Sequence, residues 1–236
     1  MSALLRLLRF PLLPTALADS AAGYLLNLPD GAPPSWTVLL WLAAASGSLY
    51  MGGMVLNDLM DLERDRTLHP SRPLPKGTFS PAGAAALFAV LFSVGGVAGG
   101  LATGRSGWAA AALIAAIVLY DTWLKRWRIP GSLAMGACRG LNLFLGAAAA
   151  QGAPTSETTY WLPPLVLGAY IASVTWLSTM EETRPEATRW VARLLRGIIP
   201  LDAAMLLVTG RWLAALAVLA LLPVSLGLRR RLPSHE

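Results

Sequence analysis

Cys138 is the only cysteine in the 236 residues, so no disulfide can form within the chain. His69 and His235 are the only histidines and share no metal-ligand spacing. Charge is scarce: 14% of residues are Asp, Glu, Lys or Arg, against about 25% in an ordinary soluble domain. No nucleotide-binding glycine loop, zinc spacing, nucleophilic triad or internal repeat is visible. These absences exclude a disulfide scaffold, a zinc enzyme and a nucleotide-dependent soluble enzyme. What fills the chain is hydrocarbon: 55% of residues are hydrophobic, and the mean hydropathy is +0.55.

Apolar stretches of membrane-spanning length recur along the whole sequence and leave no room for a separate soluble domain. The expected fold is all-α, a polytopic transmembrane helical bundle forming a single domain over 1–236. About eight spans are expected, near 10–28, 36–56, 80–103, 107–124, 131–151, 160–179, 191–209 and 211–228. The seventh is interrupted by Arg196, Pro200 and Asp202. The first runs on without a small-residue cleavage site and is read as a span rather than a signal peptide. The net charge of +6 does not point to nucleic acid, because the cations alternate with the spans. Arg6 and Arg9 precede the first span, and Arg64, Arg66, Arg72 and Lys76 follow the second. Lys125, Arg126 and Arg128 follow the fourth, Arg184 and Arg189 the sixth, and Arg229, Arg230 and Arg231 the eighth. The opposite loops hold Arg105 and Arg211. This alternation predicts both termini and the polar loops on the cytoplasmic side, and the membrane is expected to be a prokaryotic plasma membrane. The tryptophans lie mostly near span ends, as an interfacial belt requires.

The run from Asn57 to Asp65 places Asp58, Asp61 and Asp65 within roughly 60° on a helix of about 100° per residue. Three like charges on one face repel unless a cation joins them, and oxygen-only ligands suit Mg²⁺ together with phosphate oxygens. Directly after it, Pro70, Pro73, Pro75 and Gly77 predict a rigid turn carrying Arg72 and Lys76 beside the carboxylates. Carboxylates for metal beside cations for phosphate make a metal–diphosphate platform at a membrane edge.

Asn57-Asp58, Asp61 and Asp65, followed by Arg72-Pro73-Leu74-Pro75-Lys76-Gly77, resemble the first aspartate motif of the UbiA superfamily of intramembrane prenyltransferases. The stretches around Pro14–Tyr24, Gly53–Asp58 and Met135–Asn142 are most similar to its EboC-like branch. The resemblance implies an Mg²⁺-dependent enzyme that transfers a prenyl group from a prenyl diphosphate to an aromatic or polar-lipid acceptor within membrane lipids. Asn57, Asp58, Asp61, Asp65 and Lys125 would be catalytic. Asp58, Asp61 and Asp65 would hold metal. Arg72, Lys76, Lys125 and Arg126 would face the diphosphate.

It also implies a tyrosine–lysine pair on the diphosphate. Tyr120 and Lys125 are five apart here, and an interfacial anchor remains the other reading of Tyr120. Glu182 and Glu186 stand where the superfamily carries a second aspartate motif and would hold a second Mg²⁺. No aspartate is present there, and Pro185 disfavours a helical Arg184 between them. Arg139 and Asn142, three apart in the fifth span, either point at the diphosphate or acceptor or belong to an internal ion pair with Asp19 or Asp202. Two further outcomes stay open: a terpene cyclase, or a non-catalytic prenyl-lipid binding or export component of a secondary-metabolite pathway, the role the EboC-like resemblance favours.

Overall fold

The computed structural model describes residues 3–150, 157–181 and 184–231, and the described residues are helical with no strand. A short α1 (Ala3–Leu7) and a 3-10 turn (Phe10–Leu12) lead into α2 (Leu13–Leu26). Then come α3 (Trp36–Met60), the short α4 (Leu62–Leu68), α5 (Pro81–Ala102) and α6 (Gly104–Thr122). A 3-10 turn (Leu124–Arg126) precedes α7 (Arg128–Ala149) and α8 (Glu157–Ser178). The described residues close with α9 (Pro185–Arg196), α10 (Ile198–Val208), α11 (Trp212–Leu219) and α12 (Leu221–Arg231).

The helix starts follow local chemistry. Ser35 accepts from the Val38 amide at 3.4 Å and Ser80 from the Gly83 amide at 3.0 Å, each occupying a donor the first turn leaves unpaired. Thr103 and Ser106 cap α6 reciprocally. Of the expected spans, the first six match one helix each. The last two do not. Pro200 cannot donate to the Arg196 carbonyl, and Pro223 cannot donate to the Leu219 carbonyl. α9 and α11 end at those two residues, so the seventh segment divides into α9 and α10 and the eighth into α11 and α12. Among the described residues, four stretches are long and apolar enough to cross a membrane: α3, α5, α8 and Trp212–Arg230.

α7 lies at the centre, packed on α2, α6 and α8, while α3 packs on α5 and α2. The α2–α7 approach is close enough to require glycine. A Cβ at Gly23 would meet the Leu143 carbonyl, and one at Gly146 would meet the Ser20 carbonyl. Such small-residue contacts suit a bundle whose surroundings give helices no hydrophobic reason to associate. The bundle has two unlike ends. Trp36, Trp108, Trp161 and Trp212, all exposed, open helices at one end. There Arg211 binds the Leu28 carbonyl and Asp30 Oδ1, the latter at 3.2 Å. The other end gathers the C-termini of α3, α6 and α8, the start of α7, and α4.

Candidate active site

Asp61 is where the second span stops being one helix. α3 ends at Met60 and α4 begins at Leu62, with Asp61 at φ −93° and ψ 3° between them. Its amide still donates to the Asn57 carbonyl at 3.0 Å, and the Asp65 amide donates to the Asp61 carbonyl at 2.8 Å. The aspartates therefore stay in helical succession across a bend rather than on one straight face. Asp58 and Asp65 are buried and Asp61 is half-buried.

Each carboxylate meets its own cation. Asp58 pairs with Arg9 at 3.5 Å, Asp61 with Lys125 at 2.9 Å, and Asp65 with Arg72 at 2.6 Å. Lys125 also reaches Asp121 at 3.5 Å, and Asp121 accepts from the Asn57 side chain at 2.9 Å. Four carboxylates and three cations are thus paired at this end, and Arg9 and Asp121 carry them to the mouth of a cavity. The turn that presents Arg72 is pinned from two sides. Leu74 is buried against Leu7, Leu8 and Val55, and Arg6 donates to the Ser71 carbonyl at 2.6 Å. Gly77 sits at φ +75°, where a side chain would be strained. Lys76 and Arg126 are exposed at this end.

The mouth opens into a cavity of about 290 Å³. Arg9, Asn57, Tyr120 and Asp121 line its polar side, and Leu49, Met54, Leu113 and Ile117 its apolar walls. Arg139 and Asn142 also line it, but both are tied to α2. Arg139 pairs with Asp19 at 2.8 Å and donates to the Thr15 carbonyl at 3.1 Å. Asn142 donates to the Ala16 carbonyl at 2.9 Å and to Asp19 at 3.2 Å. The internal ion pair is formed with Asp19, which is fully buried, as is Asp202.

Glu182 lies outside the described residues. Glu186 is exposed in the first turn of α9, behind an extended Arg184 (φ −137°, ψ 93°). Pro185 thus breaks the helical register, as its ring demands of the residue before it.

Sequence reasoning left two residues out of the site. Arg9 was legible only as a topological charge; in the fold it faces Asp58 and adopts a left-handed φ of 44°, with Tyr50 donating to its carbonyl at 3.3 Å. Asp121, one residue past Tyr120, is not among the residues expected from the sequence. A carboxylate one residue past Tyr120, at the end of an apolar run, was the available signal.

The donors at the mouth are all oxygens, the set a hard cation such as Mg²⁺ takes. Among the described residues no three His, Cys, Asp or Glu side chains converge on one point. Mg²⁺ keeps several waters and uses one or two carboxylates plus substrate phosphates, so the residues present fit it without a closed cage.

The family model described as the UbiA prenyltransferase family matches residues 16–227. Digeranylgeranylglyceryl phosphate synthase of Methanoculleus marisnigri is 35% identical over 159 residues, 67% of this chain and 52% of that protein. Protoheme IX farnesyltransferase of Rhodopseudomonas palustris is 30% identical over 142 residues, 55% of this chain and 44% of that protein. The chain spans about half the length of the curated relatives it matches. Among solved structures, a UbiA homolog from Archaeoglobus fulgidus bound to GPP and Mg²⁺ superposes with a TM-score of 0.67 at 18% identity, over 100% of this chain and 88% of that one. A digeranylgeranylglyceryl phosphate synthase superposes with a TM-score of 0.63 at 18% identity, over 98% and 88%. At that identity the superpositions speak for the fold.

Proposed function

The chain belongs to the UbiA prenyltransferase family, and from that premise we propose that it is an Mg²⁺-dependent intramembrane prenyltransferase acting on a prenyl diphosphate. The observation that carries the reading is the set of paired carboxylates and cations beside the mouth of an apolar-walled cavity. Leu49, Met54, Leu113 and Ile117 offer the hydrocarbon tail a dry wall. The diphosphate then lies at the mouth, where Arg9, Arg72 and Lys125 stand.

Asp58, Asp61 and Asp65, with Asn57 and Asp121 beside them, would hold Mg²⁺, and Glu182 and Glu186 are the candidates for a second ion. Bound there, Mg²⁺ supplies charge neutralisation of the diphosphate as it leaves. Arg72 grips phosphate oxygens through a planar fork, while Lys125, Lys76 and Arg126 add mobile positive charge as the C–O bond breaks. Tyr120 reaches the diphosphate from the cavity wall. The apolar walls keep water from the allylic cation, leaving it to the acceptor. Arg139 and Asn142 border the space the acceptor enters. The relatives' names favour a glycerol-phosphate lipid as acceptor over an aromatic ring.

A second reading keeps the EboC-like resemblance: a prenyl-lipid binding or export component. Its support is the segment after α8, which holds glutamates and no aspartate. Pyrophosphate release separates the readings. A transferase releases it only when an acceptor is present, a cyclase without one, and a binding component not at all.

A further inference from the structure

α9 carries a row of arginines that the proposed reaction does not use. Arg189, Arg193 and Arg196 are exposed and fall within roughly 60° of one another on a helix. Ala187 and Val191 are buried on the opposite side, with Leu195 packed against the α7–α8 cluster. Trp190 is exposed on the flank, with the Arg193 guanidinium 5.1 Å from its ring centre. Glu186 is the one acidic residue of the helix, so its charged side chains sum to three positive and one negative.

The orientation of α9 decides what this row can meet. The Tyr170 hydroxyl donates to the Leu194 carbonyl at 2.7 Å. Tyr170 lies eight residues before the end of α8, roughly 12 Å down its axis. α9 therefore starts at the polar end and runs back alongside α8, with its last turn well below the bundle's rim. It packs on α8 and α10. The arginine face, opposite that packing, points outward from the side of the bundle rather than up into water. Arg189 to Arg196 spans roughly 10 Å along the helix, ending at the depth where headgroups meet acyl chains. Arginine stems lie along apolar surface while their heads seek phosphate, and tryptophan prefers the same depth.

The geometry points to α9 as a docking face for anionic phospholipid headgroups of the leaflet that borders the polar end. Charge complementarity selects the occupant. A zwitterionic headgroup offers a phosphate with its own counter-charge, whereas phosphatidylglycerol offers an unpaired one. A face on the side of the bundle is closed to a nucleic acid or a soluble acidic protein.

The test uses the purified full chain in neutral detergent, without metal or prenyl diphosphate, so its outcome is independent of the catalytic reading. Native mass spectrometry compares retention of phosphatidylglycerol and phosphatidylcholine at low salt. The wild type should prefer phosphatidylglycerol, with each arginine contributing about fivefold. R189Q/R193Q/R196Q should bring the ratio close to one, and the three-lysine replacement should keep most of it. R64Q/R230Q, which neutralises two exposed arginines elsewhere on the chain, should leave it unchanged. If the triple variant does not fold, R193Q alone should lower the ratio about fivefold. An unchanged ratio in the triple variant or in R193Q overturns the proposal, as does an equal loss in R64Q/R230Q. So does displacement of the lipid by millimolar inorganic phosphate, which would make the face a small-anion site. A concentration-dependent dimer abolished by the triple variant would assign the face to a second copy instead.

Discussion

Lys125 stands between Asp61 and Asp121 with its side chain mostly buried, and Arg72 and Arg9 hold Asp65 and Asp58 in the same way. On the proposed reading, a ligand carrying both phosphate and metal would exchange these partners: the cations would turn to phosphate and the carboxylates would hold Mg²⁺. Asp61→Ala is therefore expected to abolish Mg²⁺-dependent binding of a prenyl diphosphate while the protein stays folded in detergent. Calorimetry with and without Mg²⁺ checks this, and unchanged affinity would remove the metal-bridge reading. Asp19 does a different job. It accepts from Arg139 and Asn142 at full burial, so its loss strands a guanidinium in the bundle. Asp19→Ala should cost about 3 kcal/mol or more of stability, read as a lowered melting temperature in detergent. The companion Arg139→Met together with Asp19→Leu should recover part of it, because removing both charges leaves neither unpaired.

Helices show where composition decides and where contact does. α7 packs on three neighbours, and its glycines record how near two of them, α2 and α8, come. Gly146 faces the Ser20 carbonyl and Gly136 the Gly168 carbonyl. Backbone cannot yield as a side-chain tip can, so Gly146→Val should destabilise by at least the 1–3 kcal/mol or so typical of overpacking. A matched Gly100→Ala, where an added Cβ meets nothing, should be close to silent in the same melting experiment. The proline-set divisions at Gly197 and Ala220 belong to this scale too. They leave α10 with 11 residues, about half the length that spans a bilayer core. Asp202 is buried on α10 where that helix packs on α2, and α9 lies along α8.

At the scale of the whole molecule, one end is an electrostatic assembly and the other is an apolar rim with tryptophans and the Arg211–Asp30 pair. The cation count differs sharply between them, which predicts the polar end in the cytoplasm. In a Cys138→Ala background, a membrane-impermeant maleimide added to intact cells should label Ala32→Cys and spare Ser71→Cys. The reverse pattern would place the aspartates on the outside.

Hydropathy alone determined that the chain is a helical bundle, because spans of about 20 apolar residues are a one-dimensional property. The Asn57–Asp65 run and its basic turn were equally legible, since the two are adjacent in sequence and so within reach of local pairing. Asp65 and Arg72, seven residues apart, are the clearest case. Tertiary structure decided the pairs with long sequence separation. Arg9 meets Asp58 and Asn57 meets Asp121 only because α3 and α6 end at the same level, with the turn before α2 beside them. Arg139 meets Asp19 only because Gly23 and Gly146 let α2 and α7 close to backbone contact. A buried charge announces in sequence that it needs a partner. Which partner it finds depends on helix order and approach distance.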